Sequence, residues 1–568
     1  MRLHRLTVPR PSLRTAFALA STSLSVALGC APVSASTPAR SAATPATTSA
    51  GAAIDPMQGA PKEPLAWSDF SAATFARAKA ERRFIVLDGA AEWCHWCHVM
   101  EASTYHDPAV QKILGERFIQ VKVDVDSRPD LEERYGDYGW PATVIFSPDA
   151  EELGKYRGYI AADRFVEILQ AVVDAPPAAS TAGANAKATP GLSKGETRPL
   201  APLPEEALAW IERFTKVELA EYYDDEQGGW GRSQKAALAW DNAWALSVAG
   251  DAPMRAKVLF TLDRQRALID PVWGGIYQYS AGSDWAHPHF EKLMTFQAGA
   301  LDNYASAYAL THAARYLDAA RAMRRYIDRF LKSKEGGFYA TQDADLNAHA
   351  PGARYMNGHD YYALDESHRL AAGVPRVDAH EYGKENGLAI AAYVTLFEAT
   401  GDASALATAR AAADRVLATH ASPRGGITHD AATGSALLHL ADSASFGFAL
   451  MRLHDATRSA ESLRAAKAIA DFMLRDLADD AAGGFYASTV DPDAVGVFAA
   501  RRKPFEDNVM AIRFLVRLQA ASPDARYVRA IASALRAIAT PEEIKGRGRM
   551  LGDFLLALEE SRSVRATR

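Results

Sequence analysis

Cysteine is scarce in this chain: three residues in 568, at Cys30, Cys94 and Cys97. Two thiols in the body cannot build a disulfide framework or a four-cysteine structural zinc site. An excess of positive charge is also missing. Lys and Arg number 63 against 69 Asp and Glu, a net charge of −6, so no nucleic acid is expected as a partner. After residue 30 no apolar run is long enough to span a bilayer. β-Branched runs thin out after residue 200, where alanine dominates, and that favours helix. The remaining composition, 48% hydrophobic and 23% charged, is ordinary for a protein with sizeable cores, and the length calls for two or three domains.

The N-terminus reads as an export signal over residues 1–35. Arg2, Arg5, Arg10 and Arg14 form a basic start, and Thr15 to Gly29 is apolar but short for a membrane span. Ala27-Leu28-Gly29-Cys30 resembles a lipobox, which would lipidate Cys30; Val33-Ser34-Ala35 offers ordinary signal cleavage instead. Both leave the protein in the periplasm or cell envelope, with membrane contact only through a lipid on Cys30. Residues 36–63, rich in Ala, Ser, Thr and Pro, predict a tether without a core.

Two domains follow, expected to fold as separate units. In residues 64–173, Phe84–Asp88, Phe118–Asp124, Ala142–Phe146 and Leu153–Tyr159 predict strands. Cys97–Glu116 and Phe165–Val173 predict helices, giving an α/β sandwich around one small sheet. Residues 174–204 are a Pro/Ala/Ser/Gly-rich linker. Residues 205–562 predict eleven or twelve helices, roughly, from the apolar period. Leu406, Ala409, Ala413 and Val416 share one helical face, and Leu463, Ala466, Ala470 and Met473 another. Paired glycines before an aromatic or β-branched residue recur at Gly228-Gly229-Trp230, Gly274-Gly275-Ile276, Gly336-Gly337-Phe338, Gly425-Gly426-Ile427 and Gly483-Gly484-Phe485. Such turns suit repeated helix hairpins, and about six of them close into an all-α (α/α)6 toroid.

The chemistry-bearing motif is Trp93-Cys94-His95-Trp96-Cys97. A Cys-x-x-Cys pair opening a helix after a buried strand presents its first sulfur to the positive helix end, which favours the thiolate. Cys97, one turn on, resolves a mixed disulfide. His95, Trp96 and His98 either tune the thiolate or pack over it. As zinc ligands, Cys94, Cys97, His95 and His98 are disfavoured because neighbouring side chains diverge, so neither metal nor cofactor is expected.

The segment Asp88-Gly89-Ala90-Ala91-Glu92-Trp93-Cys94 resembles the thioredoxin active-site entry. That resemblance implies a proton-shuttling role for Asp88, a neighbouring lysine at Lys122, and a cis-proline turn at Trp140-Pro141 that docks a partner. Cys94-His95-Trp96-Cys97-His98-Val99-Met100 with Glu101 is similar to the thioredoxin-like domain of the spermatogenesis-associated protein 20 family. Members join this domain to a toroid of the six-hairpin glycosidase type. In the toroid the resemblance rests on Pro288-His289-Phe290-Glu291-Lys292, on the segment 336–345 and on Asn386-Gly387-Leu388. Gln234-Lys235-Ala236 and residues 346–366 depart from the family pattern.

The fold expected is therefore an N-terminal thioredoxin-like domain followed by an (α/α)6 toroid. The first functional expectation is a thiol–disulfide oxidoreductase acting on protein thiols or disulfides, with Cys94, Cys97, Asp88 and Pro141 at its centre. The second is a carbohydrate-active toroid, hydrolase or epimerase, using His289, Glu291, Asp343, Asp345 and Asn386 on a glycan. A non-catalytic scaffold is the third. For the toroid residues, helix capping and core packing compete with catalysis.

Overall fold

The computed structural model describes residues 65–136, 139–176, 203–248, 250–350, 352–432 and 436–565. The segments expected to be an export signal and a tether, Cys30 and most of the expected linker lie outside them.

The N-terminal region is built on a four-stranded sheet. Its strands are β1 (Phe84–Ala90), β2 (Phe118–Asp124), β3 (Ala142–Phe146) and β4 (Glu152–Arg157), in the order β2-β1-β3-β4. β1 and β2 run parallel, and β3 is antiparallel to both β1 and β4. The strands are apolar on both faces because helices cover both sides. These are α1 (Ala72–Glu81), α2 (His95–Ala102), α3 (Pro108–Arg117), α4 (Pro129–Tyr135) and α5 (Ala162–Asp174).

The single helix expected over Cys97–Glu116 is two. Asp107 caps α3, accepting from Ala109 N at 2.8 Å and Val110 N at 3.2 Å. Pro108 then fills the first helical position, where its missing N–H costs nothing; inside a continuous helix it would remove a bond.

The remainder is helical: α6 (Glu205–Glu221), α7 (Ala239–Ser247), α8 (Ala252–Gln265), α9 (Met294–Thr311), α10 (Ala314–Tyr326), the short α11 (Gly358–Tyr362) and α12 (Glu366–Ala372), α13 (Gly383–Thr400), α14 (Ala403–Thr419), α15 (Leu440–Thr457), α16 (Ala460–Phe472), α17 (Phe505–Ala521), α18 (Ala525–Ile538), the short α19 (Pro541–Gly546) and α20 (Gly552–Arg565). α7, α9, α13, α15, α17 and α20 pack in that order into a ring, and α20 returns to α7. Each inner helix carries one outer partner: α8, α10, α14, α16, α18 and α6. This is the closed (α/α)6 toroid. No helix among the described residues is long and apolar enough to cross a membrane.

All five Gly-Gly turns close on a single antiparallel bridge, as in Ile269–Ile276 and Ala478–Phe485. Gly274 and Gly275 hold φ of 77° and 74°, a region that glycine enters freely. A side chain from the next inner helix pins the turn. Asn386 accepts from Phe338 N at 2.8 Å and donates to Phe338 O at 3.0 Å. Asn508 does the same to Phe485, and Gln297 to Ile276. Three lysines, Lys235 and Lys292 buried and Lys503 partly so, staple the turns from the other side: Lys235 to Asp224, Lys292 to Asp270 and Lys503 to Asp479. Asn386 is thus held as a repeat-building residue. The aromatics Trp230, Trp273, Tyr277, Trp285 and Phe338 are buried in the hairpin core.

The two regions are not the separate bodies expected from the linker. Pro56–Arg568 forms one compact unit. A strap at Val495–Phe498 lays Val495, Val497 and Phe498 on the sheet's core, where Phe498 meets Phe70 edge-on at 4.9 Å. These partly buried apolar side chains tie the regions together, a contact that the composition of residues 174–204 does not reveal.

Candidate active site

β1 delivers the chain to a turn at Ala91–Trp93, and Cys94 sits at the N-cap of α2. Its Sγ accepts the Cys97 N–H at 3.2 Å, and the two sulfurs are joined as a disulfide with Cα atoms 5.2 Å apart. The helix end contributes positive potential at Cys94, which stabilises a thiolate once the pair is reduced. Trp93 anchors the turn by donating Nε1–H to Asp126 Oδ2 at 2.6 Å. The Trp140–Pro141 peptide is cis, as the resemblance implies, and Trp140 packs on the dithiol cluster. Trp96 points outward, 41% exposed, beside Tyr159.

Asp88 is buried in β1, directly opposite Lys122 on β2. Burial pushes its carboxyl up to about 6, against the pull of the Lys122 ammonium. One of its oxygens has no hydrogen-bond partner. Lys122 itself is paired with Glu101 at 2.6 Å. The native state therefore keeps a proton on Asp88 up to about pH 6, whereas an unfolded aspartate releases it near pH 4. Raising the pH between those values ionises the aspartate of the unfolded chain while the native one stays protonated, and so costs the fold stability. Asp88→Asn is expected to stabilise the protein at pH 7 by on the order of 2–3 kcal/mol, a gain that vanishes by about pH 4. Urea unfolding at the two pH values checks this, and a variant no more stable at pH 7 would contradict it.

The toroid closes over the dithiol. Two short strands, β5 (Pro288–His289) and β6 (Lys292–Leu293), and the loop after β7 (Thr341–Gln342) face α2. Leu293 packs on the cluster holding both sulfurs, and Cys94 and Cys97 are only 4% and 6% exposed. Around Leu293 runs a polar clamp. Asp345 Oδ2 meets His95 Nδ1 at 2.8 Å and His98 Nδ1 at 3.1 Å. Its Oδ1 accepts from Gly358 N at 2.8 Å. The His95 backbone N–H reaches Glu291 Oε1 at 3.5 Å. Arg376 pairs with Glu92 at 2.6 Å, and His349 Nε2 reaches Glu92 O at 2.8 Å.

The protonation pattern follows the contacts. Burial works against a charged His95, but the Asp345 carboxylate prevails and raises its pKa; His98 is raised in the same way. Burial also opposes ionisation of Asp345, yet hydrogen bonds from both histidines hold it well below the usual carboxylate range. Glu291 and Asp343 lack such partners, and burial lifts each to about 7. His289 stacks on Tyr279 at 4.1 Å, and burial followed by the nearby His95 lowers it to about 4.

Four of the toroid residues singled out from sequence, His289, Glu291, Asp343 and Asp345, thus converge, but against α2. None of them lines a cavity of about 790 Å³ inside the toroid, which holds Trp240, Asp302, Arg452 and Glu506 among its walls. Glu132 of α4 also lines that cavity and meets Lys384 at 3.4 Å. Leu293, His349 and Arg376 went unnoticed in sequence. Leu293 carries no motif, and His349 lies 251 residues from His98, in the stretch that departs from the family pattern.

Comparison with known proteins returns the same relationship. Over 50% of this chain it is 27% identical to an uncharacterized protein, B0495.5, of Caenorhabditis elegans, and 28% identical to spermatogenesis-associated protein 20 of Homo sapiens. The alignments span 42% and 39% of those relatives, so the chain matches less than half of their length. A shorter stretch, 15% of the chain, is 33% identical to 14% of the thiol:disulfide interchange protein DsbD of Neisseria meningitidis serogroup B. Among solved structures, cellobiose 2-epimerase from Spirochaeta thermophila is 15% identical, with a TM-score of 0.47, over 64% of this chain and 98% of that one. Residues 56–175 match the family model Thioredox_DsbH, described as a protein of unknown function, DUF255, and the chain carries this thioredoxin-like region ahead of its toroid.

Proposed function

We propose that the protein is an exported thiol–disulfide oxidoreductase whose dithiol works beneath a toroid cover. The carrying observation is the Cys94–Cys97 disulfide at the N-cap of α2, roofed by Leu293. In the reducing direction, the Cys94 thiolate attacks a substrate disulfide and expels one thiolate. Cys97 then attacks Cys94 Sγ, closes the Cys94–Cys97 disulfide and releases the second. Two electrons pass from the dithiol to the substrate. Asp88 accepts or returns a proton during the exchange, and Pro141 lines the docking side. His95 and His98 hold the cover through Asp345.

The cover bears on the substrate. With Cys94 and Cys97 4% and 6% exposed, a folded protein disulfide reaches their sulfurs only if the toroid loops move aside. A small thiol or a narrow extended segment needs far less opening. The test is turnover of a low-molecular-weight disulfide by the reduced protein. Wild-type protein without any exchange would overturn the proposal.

A second reading is sugar chemistry inside the toroid, favoured by the cavity of about 790 Å³ with Trp240, Asp302 and Glu398 in its wall. That volume suits a small ligand, and mixed aromatic and carboxylate walls suit a glycan. On this reading a glycan panel shows turnover that Asp302→Asn reduces at least about tenfold. Turnover indifferent to Asp302 would remove the cavity from consideration.

A further inference from the structure

Three side chains from both regions meet at one point beside the dithiol. His98 comes from α2; Asp343 and His349 come from the loop after β7. His98 Nε2 and His349 Nε2 are 3.1 Å apart. Asp343 Oδ2 is 3.8 Å from the first and 3.7 Å from the second. A circle through three atoms so spaced has a radius of about 2.1 Å, the length of a zinc–imidazole or zinc–carboxylate bond. The Glu92 carbonyl oxygen lies 3.0 Å and 2.8 Å from the two ring nitrogens.

Hydrogen bonding within this cluster leaves one buried oxygen unpaired. Asp343 is 3% exposed, and its Oδ2, aimed at both imidazoles, has no hydrogen-bond partner. His98 Nδ1 faces Asp345 Oδ2 at 3.1 Å, an acceptor, so Nδ1 carries the ring proton. Metal binding requires the neutral ring, whose Nε2 lone pair then faces the cluster; a His349 Nε2–H donated to it still leaves Asp343 Oδ2 without a partner. A cation resolves that arrangement. The Asp345–His98 contact also has the form of the carboxylate that orients a metal-bound imidazole and makes it more basic.

We infer that His98, Asp343 and His349 form a binding site for a divalent transition metal, zinc or a close relative, that bridges the thioredoxin-like region and the toroid. Two imidazoles and one carboxylate form a borderline donor set that suits zinc, iron or nickel better than magnesium or calcium. His349 is the solvent-facing member, its side chain 30% exposed, which leaves a route in from water. This site departs from the sequence expectation of no metal, because two of its three donors lie far from the Cys-x-x-Cys motif in the chain. Ligands drawn from both regions mean that a bound ion holds the cover over Cys94.

The test uses the untagged full chain in its disulfide form, so that no thiolate competes for the ion. After chelation, Zn²⁺ is titrated by equilibrium dialysis with elemental analysis, and melting is followed with and without Zn²⁺. The expected result is one equivalent bound per chain and a rise in melting temperature. His349→Ala should lose both responses while keeping the metal-free melting temperature, and Asp343→Asn should weaken binding at least about 100-fold. Co²⁺ should give a visible spectrum in the wild type that His349→Ala lacks. Absence of binding would overturn the inference. So would equal binding by His349→Ala, or loss in His289→Ala instead.

Discussion

Cys94→Ser is expected to lower disulfide exchange at least about 1,000-fold, because a hydroxyl at neutral pH supplies almost no anion to attack sulfur. Cys97→Ser should behave differently. Cys94 can still attack, but nothing resolves the product, so a mixed disulfide between Cys94 and the substrate thiol should accumulate to about one equivalent. Mass measurement of the trapped adduct distinguishes the two variants. The asymmetry follows from position: Cys94 sits at the N-cap of α2, and Cys97 lies one turn inside it. If both variants retained exchange, the dithiol would be a structural disulfide and the chemistry would lie elsewhere. If both lost it without a trapped adduct, the order of attack assigned to the two sulfurs would be wrong.

The second large effect concerns the cover. Asp345→Asn removes a carboxylate that touches His95, His98 and the Gly358 N–H. Hydrogen bonds to charged groups contribute about 1.5–3 kcal/mol each, so weakening two should favour the open arrangement by roughly 2–3 kcal/mol. At about 1.4 kcal/mol per tenfold, alkylation of reduced Cys94 by iodoacetamide should then run about 30–100 times faster than in the wild type. Circular dichroism and a cooperative melt must show that the variant is folded. An unchanged alkylation rate in a folded variant would mean that Asp345 does not hold the cover shut, or that reagents reach Cys94 without any opening.

What the sequence discloses and what it hides separate along physical lines. The strands β2 and β3 match their predicted limits, and β1 extends two residues further, because short apolar runs bounded by turn residues are local signals. The Gly-Gly punctuation is equally local, and each occurrence is a bridged turn. Asn386 drew notice through a resemblance, yet its work is to hold the Phe338 backbone. The Asn508 counterpart shows the pattern only once the turns are seen side by side. The break at Asp107-Pro108 was legible in principle, since an N-cap followed by proline marks a helix start.

The active-site cover was not legible. His95 and His98 belong to the motif, but their partners Asp345, Asp343 and His349 lie some 250 residues on, and no periodicity links them. The acids of the toroid read naturally as a sugar-cleaving pair, because loop carboxylates in a helical toroid invite that reading. Geometry instead sets them against the helix that carries the dithiol. Likewise, a Pro/Ala-rich linker suggested independent units, while the strap at Val495–Phe498 and the pairing of Arg376 with Glu92 bind them together.

The central claim is a reactive dithiol under a cover that selects by size. It is tested most directly by comparing two oxidants on the same reduced protein: oxidised glutathione and a folded protein with an exposed disulfide of similar potential. The expected result is rapid oxidation of Cys94 and Cys97 by the small disulfide, and oxidation by the protein at least about tenfold slower, with Asp345→Asn narrowing the gap. Equal rates in the wild type, or a faster reaction with the folded protein, would contradict the account.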